Sequence, residues 1–500
     1  MHRLIFLLAL SLLCAVYIAL LNRYGLAIPA PWPPDEIGQV SIAESWATRK
    51  VMKVSFLTNE ETKQNQREIY PLLVYTASLS LWGKVFGFSI SSMRWFNRLV
   101  GVLGLVLVFI LARCWNMPSW LSLSVATWVA MDITYQLIGN FLRPEILCVV
   151  LMLAGLLAFT KGWESKKVFW FTVAGLFFSL SMLTHPLLGS TTKFSLLTYL
   201  CLQRQWRYFL GFSLPLLVFG LVALLYVGNL ETIARQIFEF GRYLAEDKAP
   251  KSLPELLSLL LGSATLWSIC DLYPSNTPVW VAILAVTLMW QRKGLFRFYG
   301  WQLIFITVAY LTVALGGHPW YFGWFTPFGY LLLGLIFSQF ITAANKPSVL
   351  KPIIAVTLLW VGYQVYKVLP CWKTAPIIQN AHEGFFNELQ HELPPKSKIV
   401  LFCVPDPSLL LIEKRRDLDI YLPTGTKTYQ SQWEKLWHDL DGFVLVEADW
   451  VFTKPVVILP LKYRIVKRWK IPSAQITYSV VWLQVVHEKS SSGFAPDKSL

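Results

Sequence analysis

The acidic pair Asp35-Glu36 is the strongest candidate for chemistry in this sequence, and it follows two prolines just beyond a hydrophobic N-terminal segment. A carboxylate in a partly dry site can act as a general base, taking the proton from a hydroxyl as that oxygen attacks an electrophilic carbon. The pair also fits a purely structural interpretation, because proline favours the first position of a helix and acidic residues stabilise the first turn. The motif alone leaves both interpretations open.

Two arginines could stabilise negative charge that develops during such a reaction. Arg143 stands in a Leu-Arg-Pro-Glu sequence, with Glu145 two residues on, and Arg242 lies in a later loop where it could meet a phosphate. Each also has an ordinary explanation. Arg143 fits an interfacial arginine that reaches toward lipid headgroups, and Arg242 fits a solvated loop.

Histidines and aromatic residues supply the remaining candidates. His185, in a Leu-Thr-His-Pro sequence, could help Glu36 hold a divalent metal ion, since imidazole and carboxylate groups are common metal ligands. A histidine at a helix end is more often a structural hydrogen-bonding residue. His318 and Tyr321, in a His-Pro-Trp-Tyr sequence, could contact a substrate, although aromatic residues there also fit an interfacial belt. The sequence requires no particular cofactor.

The segments that carry these residues are predicted to cross a membrane. Of the 500 residues, 55% are hydrophobic and only 15% are charged, whereas soluble proteins contain about 25% charged residues. Residues 4–21 are long enough to cross a hydrocarbon core of roughly 30 Å and lack a clear cleavage site, which indicates a retained anchor. The net charge of +15 fits basic loops between spans and contact with membrane lipids. No nucleic-acid-binding motif is present, so no nucleic-acid partner is expected.

Eleven apolar segments predict a polytopic α-helical membrane protein with about eleven transmembrane helices. They lie near residues 4–21, 98–113, 119–138, 146–160, 168–183, 187–202, 208–227, 274–290, 298–315, 321–343 and 349–367. The apolar stretches 70–88 and 253–269 are ambiguous. Placing both along the outer surface puts the basic clusters in cytoplasmic turns. The N-terminus is then cytoplasmic, the C-terminus is extracytoplasmic, and the candidate residues share the outer face of a plasma or inner membrane.

Three regions are expected along the chain. Residues 1–367 form a membrane domain whose first outer loop is 22–97, residues 368–489 form a small soluble α/β domain outside the membrane, and residues 490–500 form a disordered tail. Within the soluble domain, alternating apolar segments predict strands at 398–404, 442–446 and 476–486, and helices at 384–393 and 432–440. The sequence contains no phosphate-binding loop, which argues against a nucleotide-driven pump.

The order and spacing of these motifs resemble the GT-C-type membrane glycosyltransferases, and in particular the branch of protein O-mannosyltransferases and lipid A aminoarabinose transferases. The resemblance covers roughly residues 1–345. It rests on Pro-Asp-Glu in the first outer loop, Ile69-Tyr-Pro-Leu-Leu-Val-Tyr75 before Trp82-Gly-Lys-Val-Phe-Gly87, Leu-Arg-Pro-Glu, Leu-Thr-His-Pro, and His-Pro-Trp-Tyr with Pro327. The resemblance implies an inverting transfer of a sugar from a polyprenyl-phosphate donor to a hydroxyl group of a glycan, lipid or protein on the extracytoplasmic face.

The resemblance also implies roles for individual residues. Asp35 matches the catalytic acidic residue of the first loop, Arg143 and Glu145 match the Arg-Pro-acid motif, and Tyr70 belongs to the proline segment beside the membrane. The chain departs from the family pattern in two places. The usual Lys-Pro-Pro is Ile-Tyr-Pro here, and Glu145 replaces the usual aspartate.

Two other functions remain open on the sequence. A transporter or flippase of lipid-linked glycans usually has internal repeats and charged residues at the bilayer midplane, whereas the charged residues here are predicted at one face. A ligase or polymerase of preassembled glycans would belong to the same membrane class. A long, arginine-rich second outer loop would favour the ligase, and this chain has a short one.

Overall fold

The computed structural model describes residues 2–25, 33–49, 73–227, 322–344, 350–403, 411, 415, 417–421, 440–446, 463–472 and 477–486. The helices in these residues are α1 (His2–Gly25), α2 (Pro33–Arg49), α3 (Leu73–Phe86), α4 (Ile90–Cys114), α5 (Ser119–Met131), α6 (Ile133–Asn140), α7 (Glu145–Ser165), α8 (Val168–Thr184), α9 (Pro186–Leu202), α10 (Trp206–Val227), α11 (Phe322–Ala344) and α12 (Leu350–Glu392). The strands are β1 (Lys398–Phe402), β2 (Asp419–Tyr421), β3 (Gly442–Val446), β4 (Tyr463–Pro472) and β5 (Thr477–Val485).

Three helices of the described part are long and apolar enough to cross a membrane: Leu4–Asn22 within α1, α4 and α7. The bent pair α5 and α6 makes a fourth if it counts as one span, and α8 and α10 contain shorter apolar helices. The chain is therefore a helical protein with several candidate spans. Of the eleven predicted spans, 274–290 and 298–315 lie outside the described residues, as does the ambiguous stretch 253–269.

The other ambiguous stretch, 70–88, contains α3. This helix has 14 residues, which corresponds to a length of about 21 Å at 1.5 Å per residue. That length is too short for a hydrocarbon core of roughly 30 Å. Helix α3 packs instead against α2, the helix that begins at the proline pair before Asp35.

Small residues allow the helices of the bundle to approach closely. A Cβ atom on Gly155 of α7 would lie 2.7 Å from the Phe178 ring of α8, and a Cβ atom on Gly175 of α8 would lie 2.1 Å from the Phe212 carbonyl oxygen of α10. Glycine at such contacts permits the van der Waals packing that holds membrane helices together. Away from its contact with α8, helix α10 exposes large apolar side chains such as Leu210 and Leu217. Such exposure is expected for a helix that faces lipid.

A buried aspartate marks the break between α5 and α6, which meet at an angle of 66°. The Oδ1 atom of Asp132 accepts hydrogen bonds from the backbone N–H groups of Thr134 (2.9 Å) and Tyr135 (3.3 Å), so the carboxylate caps α6. The hydroxyl of Tyr330 on α11 donates to its Oδ2 atom at 3.0 Å. Helix α6 then ends at Asn140, directly before the loop that contains Arg143. The break therefore directs the chain toward the candidate site.

Beyond the bundle, a mixed five-stranded sheet has the strand order β2-β1-β3-β5-β4. Strand β1 is parallel to β2 and β3, whereas β5 is antiparallel to β3 and β4. The predicted strands coincide with β1, β3 and β5 to within two residues at each end. Strands β2 and β4 were not predicted.

Helix α12 has 43 residues and crosses position 367 without a break, so the domain boundary proposed there stays a prediction. The predicted helix 384–393 is the end of α12. The predicted helix 432–440 lies outside the described residues except for Leu440, which is not helical, and the tail 490–500 also lies outside them.

One hydrophobic cluster joins the sheet to one end of the helical bundle. It contains side chains of α2, α3, α12, β5 and the loop before α7: Val40, Ala43, Tyr75, Leu79, Leu142, Phe385, Leu389, Val480 and Trp482. Because Leu142 belongs to the same cluster, the sheet lies at the end of the bundle where α6 meets α7.

We expect Asp132→Ala to lower the free energy of unfolding by about 2–4 kcal/mol, because the substitution removes a helix cap and leaves the buried Tyr330 hydroxyl without an acceptor. Asp132→Asn keeps an oxygen that can accept the α6 hydrogen bonds and should cost less than half as much. Denaturant-induced unfolding in mixed micelles would measure both. Equal losses in the two variants would contradict the capping role.

His382 provides a pH-dependent contribution to the stability of the C-terminal part. Its ring packs beside Phe386 and lies against the Pro472 backbone, and burial lowers its pKa from 6.5 to about 4. The unfolded chain therefore takes up a proton near pH 6.5, whereas the folded chain does so only near pH 4. Stability falls as the pH falls between these values, by about 3 kcal/mol in all. Thermal unfolding at pH 7.5 and pH 4.5 should show a smaller difference for His382→Gln than for the wild type. An identical pH dependence would contradict this assignment.

Candidate functional site

Glu36 connects three separate segments at the end of the bundle where α6 meets α7. Its side chain is almost fully buried, with 3% of the residue exposed. Arg94 of α4 donates to both carboxylate oxygens, from Nε to Oε1 at 2.9 Å and from Nη2 to Oε2 at 2.6 Å. The backbone N–H of Leu142 also donates to Oε1, at 2.9 Å. Both oxygens are thus engaged, and the carboxylate fixes the positions of α2, α4 and the 141–144 loop relative to one another.

Asn97 holds the same loop from the next turn of α4. Its Nδ2 atom donates to the carbonyl oxygens of Phe141 and Arg143, the latter at 3.1 Å. The hydroxyl of Tyr75 on α3 donates to Asn97 Oδ1 at 3.0 Å. These hydrogen bonds satisfy backbone carbonyls in a loop that has no secondary structure of its own. The position of Arg143 is therefore set by α3 and α4 as well as by its own sequence.

Arg143 and Glu145 form a second ion pair. Nε and Nη2 of Arg143 lie 3.1 and 2.9 Å from Oε1 of Glu145. Glu145 is fully buried in the first turn of α7, where the helix dipole also stabilises its negative charge. The Arg143 side chain is 11% exposed. This pairing favours an internal role for Arg143 over that of an arginine directed at lipid headgroups.

His185 lies next to this ion pair, between α8 and α9. It is buried, and its backbone N–H donates to the Ser181 carbonyl at 2.8 Å. The charges of Glu145 and Arg143 both act on its imidazole ring, which places the ring within electrostatic range of the ion pair. The structure thus brings together four of the predicted site residues: Glu36, Arg143, Glu145 and His185.

The described residues give no support for a metal site. Among them, no group of three or more histidine, cysteine, aspartate or glutamate side chains could hold a metal ion. Glu36, one of the two proposed ligands, has both oxygens occupied by hydrogen bonds. Since its oxygens already bind Arg94 and Leu142, the described residues do not fit a divalent cation there.

The side chains of several predicted site residues lie outside the described part of the structure. Asp35 lies in the first turn of α2, but its side chain is outside the described part of the structure. Tyr70, Arg242, His318 and Tyr321 also fall outside it. Their roles stay predictions.

Sequence reasoning missed Arg94, Asn97 and Tyr75. The sequence does contain a signal for the first two. Asn97 and Arg98 follow Arg94 by three and four residues in a largely apolar segment. This spacing places them on one face of a helix, and polar residues at the margin of a membrane span are usually retained for function. Tyr75 carries no comparable signal in the sequence.

Comparisons with known proteins agree with this architecture. Residues 71–230 match the family described as dolichyl-phosphate-mannose-protein mannosyltransferase. ArnT from Cupriavidus metallidurans bound to undecaprenyl phosphate has a TM-score of 0.54 and 13% sequence identity, over 94% of this chain and 97% of that chain. The apo state of ArnT gives a TM-score of 0.52 with the same identity and coverage. Arabinosyltransferase EmbB from Mycobacterium smegmatis gives a TM-score of 0.40 and 14% identity, over 65% of this chain and 30% of that chain. No curated protein matches the sequence.

The family match and the structural likeness cover different lengths of the chain. The family match begins at Pro71 and includes the Arg-Pro-Glu and Thr-His-Pro motifs. The likeness to ArnT extends over nearly the whole chain and, at 13% identity, concerns the fold. Residues 71–230 therefore carry the sequence pattern described as dolichyl-phosphate-mannose-protein mannosyltransferase, and the chain has a fold similar to that of ArnT, in agreement with the resemblance that the motifs indicate.

Proposed function

We propose that this protein is an inverting glycosyltransferase that moves a sugar from a polyprenyl-phosphate donor to a hydroxyl acceptor on the extracytoplasmic face of the membrane. The observation that carries the proposal is the convergence of Glu36–Arg94, Arg143–Glu145 and His185 at one end of the bundle. These groups come from α2, α4, the loop before α7, the first turn of α7 and the end of α8. The ArnT structure of the same fold holds undecaprenyl phosphate, which supports a polyprenyl phosphate as the carrier.

The reaction requires one base and a place for negative charge. The acceptor oxygen forms a bond to the anomeric carbon of the sugar, and the bond from that carbon to the phosphate oxygen breaks. The acceptor proton passes to a carboxylate, and the electron pair leaves with the lipid phosphate. A single displacement of this kind inverts the configuration at the anomeric carbon.

Asp35 is the proposed base, and Glu36 is proposed as a positioning residue. A general base needs an oxygen within hydrogen-bonding reach of the acceptor hydroxyl. Both oxygens of Glu36 already accept hydrogen bonds from Arg94 and Leu142. Its neighbour Asp35 stands one residue earlier in the same first turn of α2, so the fixed position of Glu36 also fixes the backbone that carries Asp35.

The loop at 141–144 is proposed to face the donor. Its backbone is held by Glu36 and Asn97, and it presents Arg143, the more exposed member of its ion pair. A preorganised cation of this kind can stabilise charge that develops on a leaving phosphate without a large rearrangement. His185, beside the same pair, is proposed to help position Glu145.

Asp35→Asn should lower the rate of sugar transfer by about a hundredfold or more, because a general base contributes roughly 10²–10⁴ to the rate. The assay uses purified protein in lipid with a panel of radiolabelled undecaprenyl-phosphate sugars, and it follows release of undecaprenyl phosphate. Undiminished release by Asp35→Asn would contradict the base assignment. Lack of release by the wild-type protein from every donor would contradict the proposed function itself.

Glu36→Gln should destabilise the protein by about 3 kcal/mol or more, because it leaves the Arg94 guanidinium buried without its counter-charge. Adding Arg94→Gln should recover part of that stability, since the two neutral amides can hydrogen-bond to each other. A double-mutant cycle on unfolding free energies would measure the coupling. Additive effects would show that the pair does not act as a unit. The double variant should retain measurable transfer if Glu36 positions Asp35, and should lose it as fully as Asp35→Asn if Glu36 is itself the base.

A further inference from the structure

Arg98 differs from the other two arginines of the cluster in the partners that surround it. Arg94 and Arg143 each face a carboxylate, whereas Arg98 is held by two amide side chains. Its Nε and Nη2 atoms donate to Oδ1 of Asn140 at 3.2 and 3.0 Å. Its Nη1 atom donates to Oδ1 of Asn22.

Within the described cluster, Arg98 therefore has no carboxylate hydrogen-bonded to it. Glu36 and Glu145 are paired with Arg94 and Arg143. The charge of Glu36 also acts on Arg98, but the like charge of Arg94 opposes it. Only 5% of the residue is exposed, and its guanidinium carbon lies 5.3 Å from the centre of the Trp95 ring. A buried charge without a counter-charge is strongly unfavourable. Such a residue at the margin of a membrane span is normally retained for a function.

The location of Arg98 suits the phosphate of a membrane lipid. Arg98 lies one helical turn beyond Arg94, about 12 Å along α4 from its first residue at 1.5 Å per residue. Asn22 is near the end of α1, and Asn140 is the last residue of α6. Arg98 is thus surrounded by helix ends on the same side of the bundle as the 141–144 loop. This level corresponds to the outer edge of the apolar segment that begins at residue 98.

We infer that Arg98, oriented by Asn22 and Asn140, binds the phosphate of the polyprenyl donor, an inference that rests on the function proposed above. The guanidinium has five N–H groups, and the three hydrogen bonds to the asparagines leave two for phosphate oxygens. Amide partners orient the group without cancelling its charge. When the bond between the sugar and the phosphate breaks, the phosphate gains a negative charge, and Arg98 stabilises that charge.

A purely structural role for Arg98 is the alternative explanation, since its hydrogen bonds tie α1, α4 and α6 together. The two roles make opposite predictions for Asn22→Asp. This substitution keeps the shape of the side chain but gives Arg98 a carboxylate partner. If Arg98 only holds the helices together, the substitution should leave the stability unchanged or raise it and should not affect binding. If Arg98 binds an anion, the new carboxylate should neutralise its charge and weaken binding.

The test measures binding of undecaprenyl phosphate to the full-length protein in lipid nanodiscs, together with the thermal unfolding midpoint. We expect Asn22→Asp to weaken binding by about tenfold or more without lowering the midpoint, because a charge-assisted hydrogen bond corresponds to roughly a tenfold to hundredfold change in affinity. Arg98→Gln should weaken binding to a similar degree, and Arg98→Lys should weaken it less. Asn387→Asp, on an exposed part of α12, adds the same charge elsewhere and should leave binding unchanged.

Undecaprenol, which lacks the phosphate, serves as the ligand control and should bind the wild type and Asn22→Asp equally. Wild-type affinity for undecaprenyl phosphate in Asn22→Asp would overturn the role of Arg98 and leave the proposed glycosyltransferase function intact. Equal weakening of both ligands in Asn22→Asp would also overturn it, because the phosphate would then not be the group recognised. Failure of the wild-type protein to bind undecaprenyl phosphate would overturn both the inference and the proposed donor.

Discussion

The buried ion pair between Glu36 and Arg94 is the interaction on which the arrangement of the candidate site depends. Removing either charge from water costs several kcal/mol. That cost is offset by two parallel N–H···O contacts and by the backbone N–H of Leu142. Because Glu36, Arg94 and Leu142 are far apart in the sequence, their contacts hold α2, α4 and the 141–144 loop together as one unit.

Other charged groups inside the described bundle are also compensated by hydrogen bonds. Asp132 is satisfied by the N-terminus of α6 and the Tyr330 hydroxyl, and Lys193 of α9 donates to Ser179 and to the Gly175 carbonyl. The predicted spans are nearly free of such groups, and Asp132 and Lys193 are two exceptions in the sequence whose partners the structure identifies. Both are engaged by neighbouring helices, and Asp132 serves to bend the chain toward the site. The ion pairs Glu36–Arg94 and Arg143–Glu145 lie at the end of the bundle where α6 meets α7.

The secondary structure that was predicted well is the part governed by local pattern. Apolar segments gave the positions of the long helices, and alternation gave β1, β3 and β5. Strand β2 has only three residues, too few for a periodic signal. Strand β4 lies at the sheet edge and carries Arg464, Lys467 and Arg468, with an irregular register between residues 465 and 467. A charged edge strand blocks further pairing, but its charges and its bulge also hide the alternation. Helix α12 continues past its apolar part because Phe385 and Leu389 pack in the same cluster as the sheet.

The sequence by itself determined the membrane class, the chemical inventory and the motifs of the first loop, because composition and short spacing depend on nearby residues alone. It named Glu36, Arg143, Glu145 and His185, which the structure places at one end of the bundle. Only the tertiary structure decided which charges meet. Glu36 pairs with an arginine 58 residues away and with a backbone amide 106 residues away. Contacts between residues so far apart in the sequence result from helix packing and from the break at Asp132, and no local sequence pattern predicts them. For the same reason, only the fold could show that Arg98 is held by two asparagines rather than by a carboxylate.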